Sequence, residues 1–131
     1  MSKFNFFPKP QLSKKLIPFK DTEEAWFWYV RSERARREGA LSLKVESIEG
    51  RPCDPDDIYR FVMQLHKRKK LNSEHLRVLA EFGWKNAPPD PRVSSERRTW
   101  AIWGEALDKL STILKSKGIV DIDDMHFRLQ S

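Results

Sequence analysis

The sequence predicts a mainly α-helical protein, a compact bundle of about four helices that could also carry a short strand pair. Two observations carry this prediction. Several stretches repeat apolar residues at the three- and four-residue spacing of a helix, and residues that start or stop helices flank them. The chain of 131 residues also has five Trp and eight Phe, enough large side chains to fill one modest core. We therefore expect one helical domain, residues 21–131, behind a basic arm, residues 1–20.

The arm, residues 1–20, contains three prolines and no sustained helical period, and it carries five lysines without an acidic residue. Two interpretations are open: a flexible basic arm, or an extended arm whose apolar side chains dock onto the domain or a partner. We favour docking, because a Phe-rich segment is poorly suited to water. The docking side chains would be Phe4, Phe6, Phe7, Leu16, Ile17 and Phe19.

The first helix is predicted to start at Asp21, which forms a capping-box pattern with Glu24, and to stop at Gly39. Its first turns are aromatic on several sides, so we expect burial on two sides. One face would hold Ala25, Trp26, Tyr29 and Val30, with Phe27 and Trp28 on other sides. The segment that follows, residues 41–45, alternates apolar and polar residues and could be a short strand or an irregular connector.

The second helix is predicted from Asp54 as the cap, with Pro55 at the first helical position, to Lys69 or Lys70. Its apolar stripe consists of Ile58, Phe61, Val62 and Leu65. A third helix should start at Asn72 or Ser73 and stop at Gly83. The third helix would bury Leu76, Leu79 and Ala80.

The fourth helix is predicted from Ser94 or Ser95 to Gly118. One apolar stripe comprises Trp100, Trp103, Leu107, Leu110 and Leu114, and a second comprises Ile102, Ala106 and Ile113. So wide an apolar surface indicates either a central helix or a helix that also contacts another subunit, as in a homodimer. Gly104 would mark a close crossing or a bend, since glycine costs helix stability.

Two parts of the chain resemble known proteins. The segment "ALDKLSTILKSKGIVDIDDMHFRLQ" is similar to the close of a winged-helix domain, which implies a helix near the DNA major groove and a tail that forms a wing. On this resemblance the DNA contacts would be Lys109, Ser111, Thr112, Lys115 and Lys117. The acidic tail residues Asp121, Asp123 and Asp124 depart from that pattern, because they would repel phosphate. The stretches "RPCDPDDI", "PPDPR" and "ALDKLSTILKSKGIV" resemble small uncharacterised alphaproteobacterial proteins, which implies a bacterial origin and no particular activity.

The strongest local charge feature is the run "HKRKKLNSEH" at residues 66–75. The net charge is +6 and the sequence pI is about 9.6, so an anionic partner is expected. Two interpretations are open: the cations complement the negative end of the second helix, or they contact a phosphate backbone. On the second interpretation the contacts would be Lys67, Arg68, Lys69, Lys70 and, on the next helix, Arg77.

Motifs of common enzyme chemistry are lacking: the sequence has no Gly-rich phosphate loop, no Cys-x-x-Cys and no His-Glu-x-x-His. Cys53 precedes a helix N-terminus, which could lower its pKa, but no histidine is placed to act as its base. Asp123, Asp124 and His126 match no metal-binding loop. We therefore expect no catalysis, no cofactor and no metal.

The remaining features bear on location. A single cysteine excludes an internal disulfide framework and fits a reducing cytoplasm. No apolar run approaches 18 residues and no signal-peptide pattern is present, so we expect neither a membrane span nor secretion. The sequence thus favours a small cytoplasmic nucleic-acid-binding protein, a bacterial regulator that binds DNA rather than RNA. The alternative is a protein–protein adaptor or small structural subunit that uses its aromatic helix faces.

Overall fold

Four α-helices dominate the computed structural model, which describes residues 16–39 and 50–122. Their bounds are α1 (Thr22–Arg37), α2 (Pro55–Lys67), α3 (Ser73–Lys85) and α4 (Arg97–Ser116), with a single 3-10 turn at Ser94–Glu96 before α4. The predicted mainly helical class is confirmed. Within the described ranges no strand forms, and one parallel bridge pairs Phe19 with Val120. The expected strand at 41–45 and residues 123–131 of the expected wing lie outside them.

The starts of α1 and α2 follow the predicted cap chemistry, whereas α4 begins at Arg97, after the 3-10 turn, and not at the predicted Ser94 or Ser95. Asp21 Oδ1 accepts the N–H of Glu24 at 2.8 Å, and Glu24 Oε1 reaches back to the N–H of Lys20, also at 2.8 Å. At α2 the N–H of Asp54 donates to Asp57 Oδ2 at 3.0 Å. Each bond satisfies a backbone N–H group in the first turn of a helix, or just before it, that has no intrahelical acceptor.

The core lies where α1 meets the other three helices. α3 packs most extensively on α4, and α2 packs on α1. Two indole N–H groups cross between elements: Trp26 Nε1 donates to the carbonyl of Leu79 at 3.0 Å, and Trp103 Nε1 donates to Glu23 Oε2 at 2.9 Å. The largest fully buried side chains are Trp28, Phe19, Ile58, Leu71, Leu79, Leu110, Leu114, Val78 and Val120.

The described end of the arm, residues 16–20, reaches the core through one side chain. Phe19 is fully buried, and its ring centroid lies 4.9 Å from that of Trp28. The guanidinium of Arg51 lies over the Phe19 ring, 4.1 Å from its centroid. Its N–H donates to the carbonyl of Ile119 at 2.9 Å, which ties the arm to the chain after α4. Leu16 and Ile17 are exposed, and Phe4, Phe6 and Phe7 lie outside the described residues.

Gly83 does not stop the third helix, contrary to the prediction. α3 continues to Lys85, and Asn86 takes the left-handed conformation that ends it, with φ of 60°. Gly83 is buried instead, and a Cβ there would lie 2.8 Å from Trp26 Nε1 and 2.9 Å from Val30 Cγ2. The glycine therefore serves the close approach of α3 to α1 rather than a chain reversal.

One prediction about α4 is also wrong, and one of the two alternatives for Gly104 is excluded. Trp100 belongs to the predicted apolar stripe but is 48% exposed, and it lies in the first turn of α4, ahead of the first buried residue of the helix. Gly104 marks no close crossing, since a Cβ at that position would meet no atom within 4 Å. The buried stripe of α4 begins at Ile102 and Trp103.

Candidate nucleic-acid interface

Four exposed cations form the connection between α2 and α3, and we refer to Lys67, Arg68, Lys69 and Lys70 as the basic turn. Lys67 is the last residue of α2 and Arg68 is its C-cap. Among the residues that the structure describes, none of these four takes part in an ion pair. No acidic side chain within residues 16–39 and 50–122 therefore neutralises them, which is the state that an anionic ligand requires.

The backbone of the basic turn closes α2 with a Schellman motif. The N–H of Lys70 donates to the carbonyl of Leu65 at 2.8 Å, and the N–H of Lys69 donates to that of His66 at 3.0 Å. This reversal requires a left-handed residue, and Lys69 supplies it with φ of 65°. After this reversal the next residue, Leu71, is fully buried in the core.

Lys69 is an unusual residue for that position. In the other described helices the left-handed residue is Gly39 after α1, Asn86 after α3 and Gly118 after α4. Glycine and asparagine adopt this conformation readily, whereas a side chain such as lysine costs about 1 kcal/mol. The structure thus holds a cation where glycine would be more stable, and such local strain is often found at functional positions.

The start of α3 anchors the far side of the basic turn. Asn72 Oδ1 accepts the N–H of His75 at 2.9 Å, and His75 Nδ1 accepts the N–H of Asn72 at 3.0 Å. The pair forms a capping box with histidine in the usual place of glutamate. The other ring nitrogen, His75 Nε2, lies 3.1 Å from Glu105 Oε1 on α4. The turn is consequently held to the bundle at both ends.

The other predicted contact residues do not join the basic turn equally. Arg77 is exposed on α3 but forms ion pairs with Glu81 at 3.4 Å and Glu74 at 3.9 Å, so its charge is largely compensated. Lys109 is exposed one helical turn beyond Glu105, on the same side of α4. Lys115 and Lys117 lie at the end of α4, about 15 Å along the helix axis from Glu105.

Exposed aromatic and thioether side chains beside α2 are a feature that the sequence analysis missed. Tyr59, Met63 and Trp84 are exposed, and they border an apolar groove between α1, α2 and α3 with a volume of about 300 Å³. Its floor and walls include Trp26, Tyr29, Val30, Val62, Leu76 and Leu79. The signal was present in the sequence, because Tyr59 and Met63 stand outside the apolar stripe of their helix.

Arginines of α1 border one end of this groove. The guanidinium of Arg34 lies 4.1 Å above the ring of Trp84 and donates to the Trp84 carbonyl. Arg37 lines the groove and pairs with Glu33 at 3.2 Å. The cations of α1 are thus engaged within the fold, unlike those of the basic turn.

The pKa of the Cys53 thiol is raised, and not lowered as its position before a helix N-terminus could have caused. Burial, followed by the carboxylates of Asp57 and Asp54, raises the pKa of the thiol to about 12. The expectation that the helix N-terminus lowers this pKa is wrong, because desolvation and two negative charges outweigh it. The thiol is therefore protonated over the physiological pH range.

Residues 16–39 and 50–122 contain neither a metal-binding cluster nor a helix that could span a membrane. In these ranges no three His, Cys, Asp or Glu side chains are placed to hold a metal ion, and no helix is long and apolar enough to cross a membrane. Asp123, Asp124 and His126 lie outside these ranges.

Comparisons with protein-family models, with curated proteins and with solved structures found no match to this chain. The resemblances to winged-helix domains and to alphaproteobacterial proteins therefore remain predictions from the sequence.

Proposed function

We propose that this protein binds nucleic acid, with the basic turn as its main phosphate contact. The observation that carries the proposal is the state of Lys67, Arg68, Lys69 and Lys70: consecutive, exposed and without an ion-pair partner in the part of the chain that the structure describes. Phosphate neutralisation depends on the density of such cations and not on a particular base sequence.

Ordinary helix electrostatics accounts for only part of this arrangement. One or two cations in the last turn of α2 suffice to complement its negative end. The carbonyls of Leu65 and His66 already accept backbone N–H groups, so they need no lysine. A cation at the left-handed position of Lys69 has no such explanation, since glycine there would be more stable.

The finer parts of the proposal come from the sequence. The similarity to winged-helix domains favours DNA over RNA, and the single cysteine favours the cytoplasm. A role as a bacterial regulator follows from the same resemblances. Lys109 would extend the basic surface along α4, whereas Arg77, Lys115 and Lys117 would contribute less, given their ion pairs or their distance along the helix.

The test is fluorescence-anisotropy titration with labelled duplex DNA, single-stranded DNA and RNA at about 50 mM salt. The variant Lys67→Gln/Arg68→Gln/Lys70→Gln should weaken binding at least ten-fold. It leaves Lys69 in place, so the turn geometry is not disturbed. The matched control, Lys85→Gln/Arg92→Gln/Arg98→Gln, removes three charges that pair with Glu81, Asp90 and Glu74, and it should bind nearly as tightly as the unmodified protein.

A protein–protein adaptor is the second candidate, favoured by the apolar groove between α1, α2 and α3. An apolar helix of a partner protein could cover Trp84 and Met63 there. This candidate predicts that Trp84→Ser abolishes the capture of a defined partner protein. It also predicts that neither the unmodified protein nor the variant binds nucleic acid. Absence of nucleic-acid binding at low salt would leave it as the better account.

A further inference from the structure

We infer that the nucleic acid bound by the basic turn is single-stranded and that one of its unpaired bases stacks on Tyr59. This inference rests on the proposed function and names the substrate class of the same site. It is carried by an exposed aromatic ring on α2 that another ring supports, and by Lys67 and Arg68 at the end of the same helix, which have no ion-pair partner in the ranges that the structure describes.

Tyr59 is the outermost of three successive rings. The centroids of Trp26 and Tyr29 are 5.1 Å apart, and those of Tyr29 and Tyr59 are 6.3 Å apart with an interplanar angle of 27°. Trp26 is buried and held by its bond to the Leu79 carbonyl, whereas Tyr59 is 49% exposed. The series therefore supports a flat aromatic surface at the solvent boundary, and ordering that surface on binding costs little entropy.

The same side of α2 joins Tyr59 to the basic turn. One open surface concavity runs along α2. Among the described residues, its lining consists of Tyr59, Arg60, Phe61, Met63, Gln64, Lys67 and Arg68. Tyr59 and Lys67 are two helical turns apart, about 12 Å along the axis. An aromatic ring followed by a row of cations matches the way single strands bind, with bases on aromatic side chains and the backbone along positive charge.

Nearby acidic groups do not oppose a phosphate backbone here. Asp57 pairs with Arg60, and Asp56 pairs with Arg36 at 3.3 Å, so the negative charges of the first turn of α2 are compensated. Glu33, which lines the apolar groove, is engaged by Arg36 and Arg37. Among the described residues that line the concavity, the charges without an ion-pair partner are those of Lys67 and Arg68.

A duplex uses these features less well than a single strand does. In a duplex the base faces are stacked inside the helix, so the exposed ring of Tyr59 would meet only sugar and phosphate. Readout through the major groove needs base-contacting side chains on the helix that enters it. α3, the helix that begins next to the basic turn, offers few, since Arg77 is engaged by Glu74 and Glu81, and the groove contacts that the winged-helix resemblance implies lie on α4 instead.

The test compares single strands of about 15 nucleotides with the duplex of the same sequence. Tyr59→Gln should weaken single-strand binding about ten-fold without changing its salt dependence, and Tyr59→Phe should restore it, because stacking needs only the ring. Trp100→Gln removes another half-exposed aromatic ring, on α4, and should leave binding unchanged. Oligonucleotides that contain 2-aminopurine should lose fluorescence on binding to the unmodified protein and less so on binding to Tyr59→Gln.

Failure of this inference is distinguishable from failure of the proposed function. If Lys67→Gln/Arg68→Gln/Lys70→Gln weakens binding but Tyr59→Gln does not, the stacking inference is overturned while the basic turn keeps its role. Tighter binding of the duplex than of the single strand would overturn the inference as well. If no oligonucleotide binds and Tyr59→Gln instead impairs the binding of a defined protein, both proposals are wrong.

Discussion

His75 on α3 contacts Glu105 on α4, with His75 Nε2 3.1 Å from Glu105 Oε1. Because Nδ1 of the same imidazole accepts the N–H of Asn72 at 3.0 Å, the ring proton of the neutral form belongs on Nε2 and is donated to the carboxylate. The His75 side chain thus caps α3, links α3 to α4 and holds the backbone of Asn72, the N-cap residue. The relationship holds the basic turn at a defined place on the bundle.

Replacement of His75 should cost much more stability than replacement of Glu105. His75 is buried, so His75→Ala removes a capping bond and leaves a small void, and we expect the free energy of unfolding to fall by about 2 kcal/mol. Glu105→Gln keeps an acceptor on an exposed side chain and should change it by less than about 0.5 kcal/mol. Urea denaturation measures both, and equal losses would refute the structural role given to His75.

Lys69→Gly should stabilise the protein while it removes a cation from the proposed interface. Glycine relieves the left-handed strain, so we expect a gain of up to about 1 kcal/mol in the free energy of unfolding. Gly118→Ala places a Cβ at the corresponding position after α4 and should lose about as much. A fall in stability of Lys69→Gly in urea would show that the lysine side chain itself supports the fold.

Two helical glycines, Gly83 on α3 and Gly104 on α4, form a matched pair, because only Gly83 lies against another helix. Gly83→Ala should destabilise the protein by about 1–3 kcal/mol, because its Cβ would clash with Trp26 and Val30. Gly104→Ala meets open space and should gain up to about 1 kcal/mol from the better helix propensity of alanine. Thermal unfolding of the two variants should therefore shift in opposite directions, and a shift in the same direction would contradict the close approach of α1 to Gly83.

The Cys53 thiol should react slowly near neutral pH. Its pKa in the folded protein is about 12, above the ordinary value of 9.0, so at about pH 8 a disulfide reagent should modify it more than ten-fold more slowly than in urea. The raised pKa also determines how the free energy of unfolding changes with pH. The protonated thiol favours folding below about pH 9, and that contribution is lost as the pH rises towards 12, because the unfolded chain releases the proton first. Fast modification of the folded protein would contradict this environment.

Local chemistry explains why the starts of α1, α2 and α3 were predictable, whereas α4, whose N-cap Glu96 makes no side-chain cap bond, begins later than predicted. Asp21, Asp54 and Asn72 each stand at a cap position, and a cap requires only residues within three positions in the sequence. The apolar stripe of α2 was predictable for the same reason, since its period of three and four residues is written in the sequence. The charge of the basic turn could likewise be read directly from residues 67–70.

Features that depend on distant contacts were not predictable. Gly83 looks like a helix stop, and only the indole of Trp26 on α1 explains why a glycine lies inside α3. Trp100 continues a regular stripe, but it lies in the first turn of α4, ahead of the first buried residue, Ile102, and is exposed. The left-handed Lys69 contradicts the usual preference for glycine, and the contact of Tyr29 with Tyr59 joins α1 to α2 through two residues that are 30 positions apart in the sequence.

The most direct test of the central claim is the salt dependence of single-strand binding. A plot of log Kd against log salt concentration between about 50 and about 200 mM should have a slope of about 2.8 for four phosphate contacts, at about 0.7 per contact. For Lys67→Gln/Arg68→Gln/Lys70→Gln the slope should fall by about 2. An unchanged slope in this variant, or no binding of either single-stranded or duplex nucleic acid by the unmodified protein at the lower salt concentration, would contradict the assignment of the basic turn to phosphate.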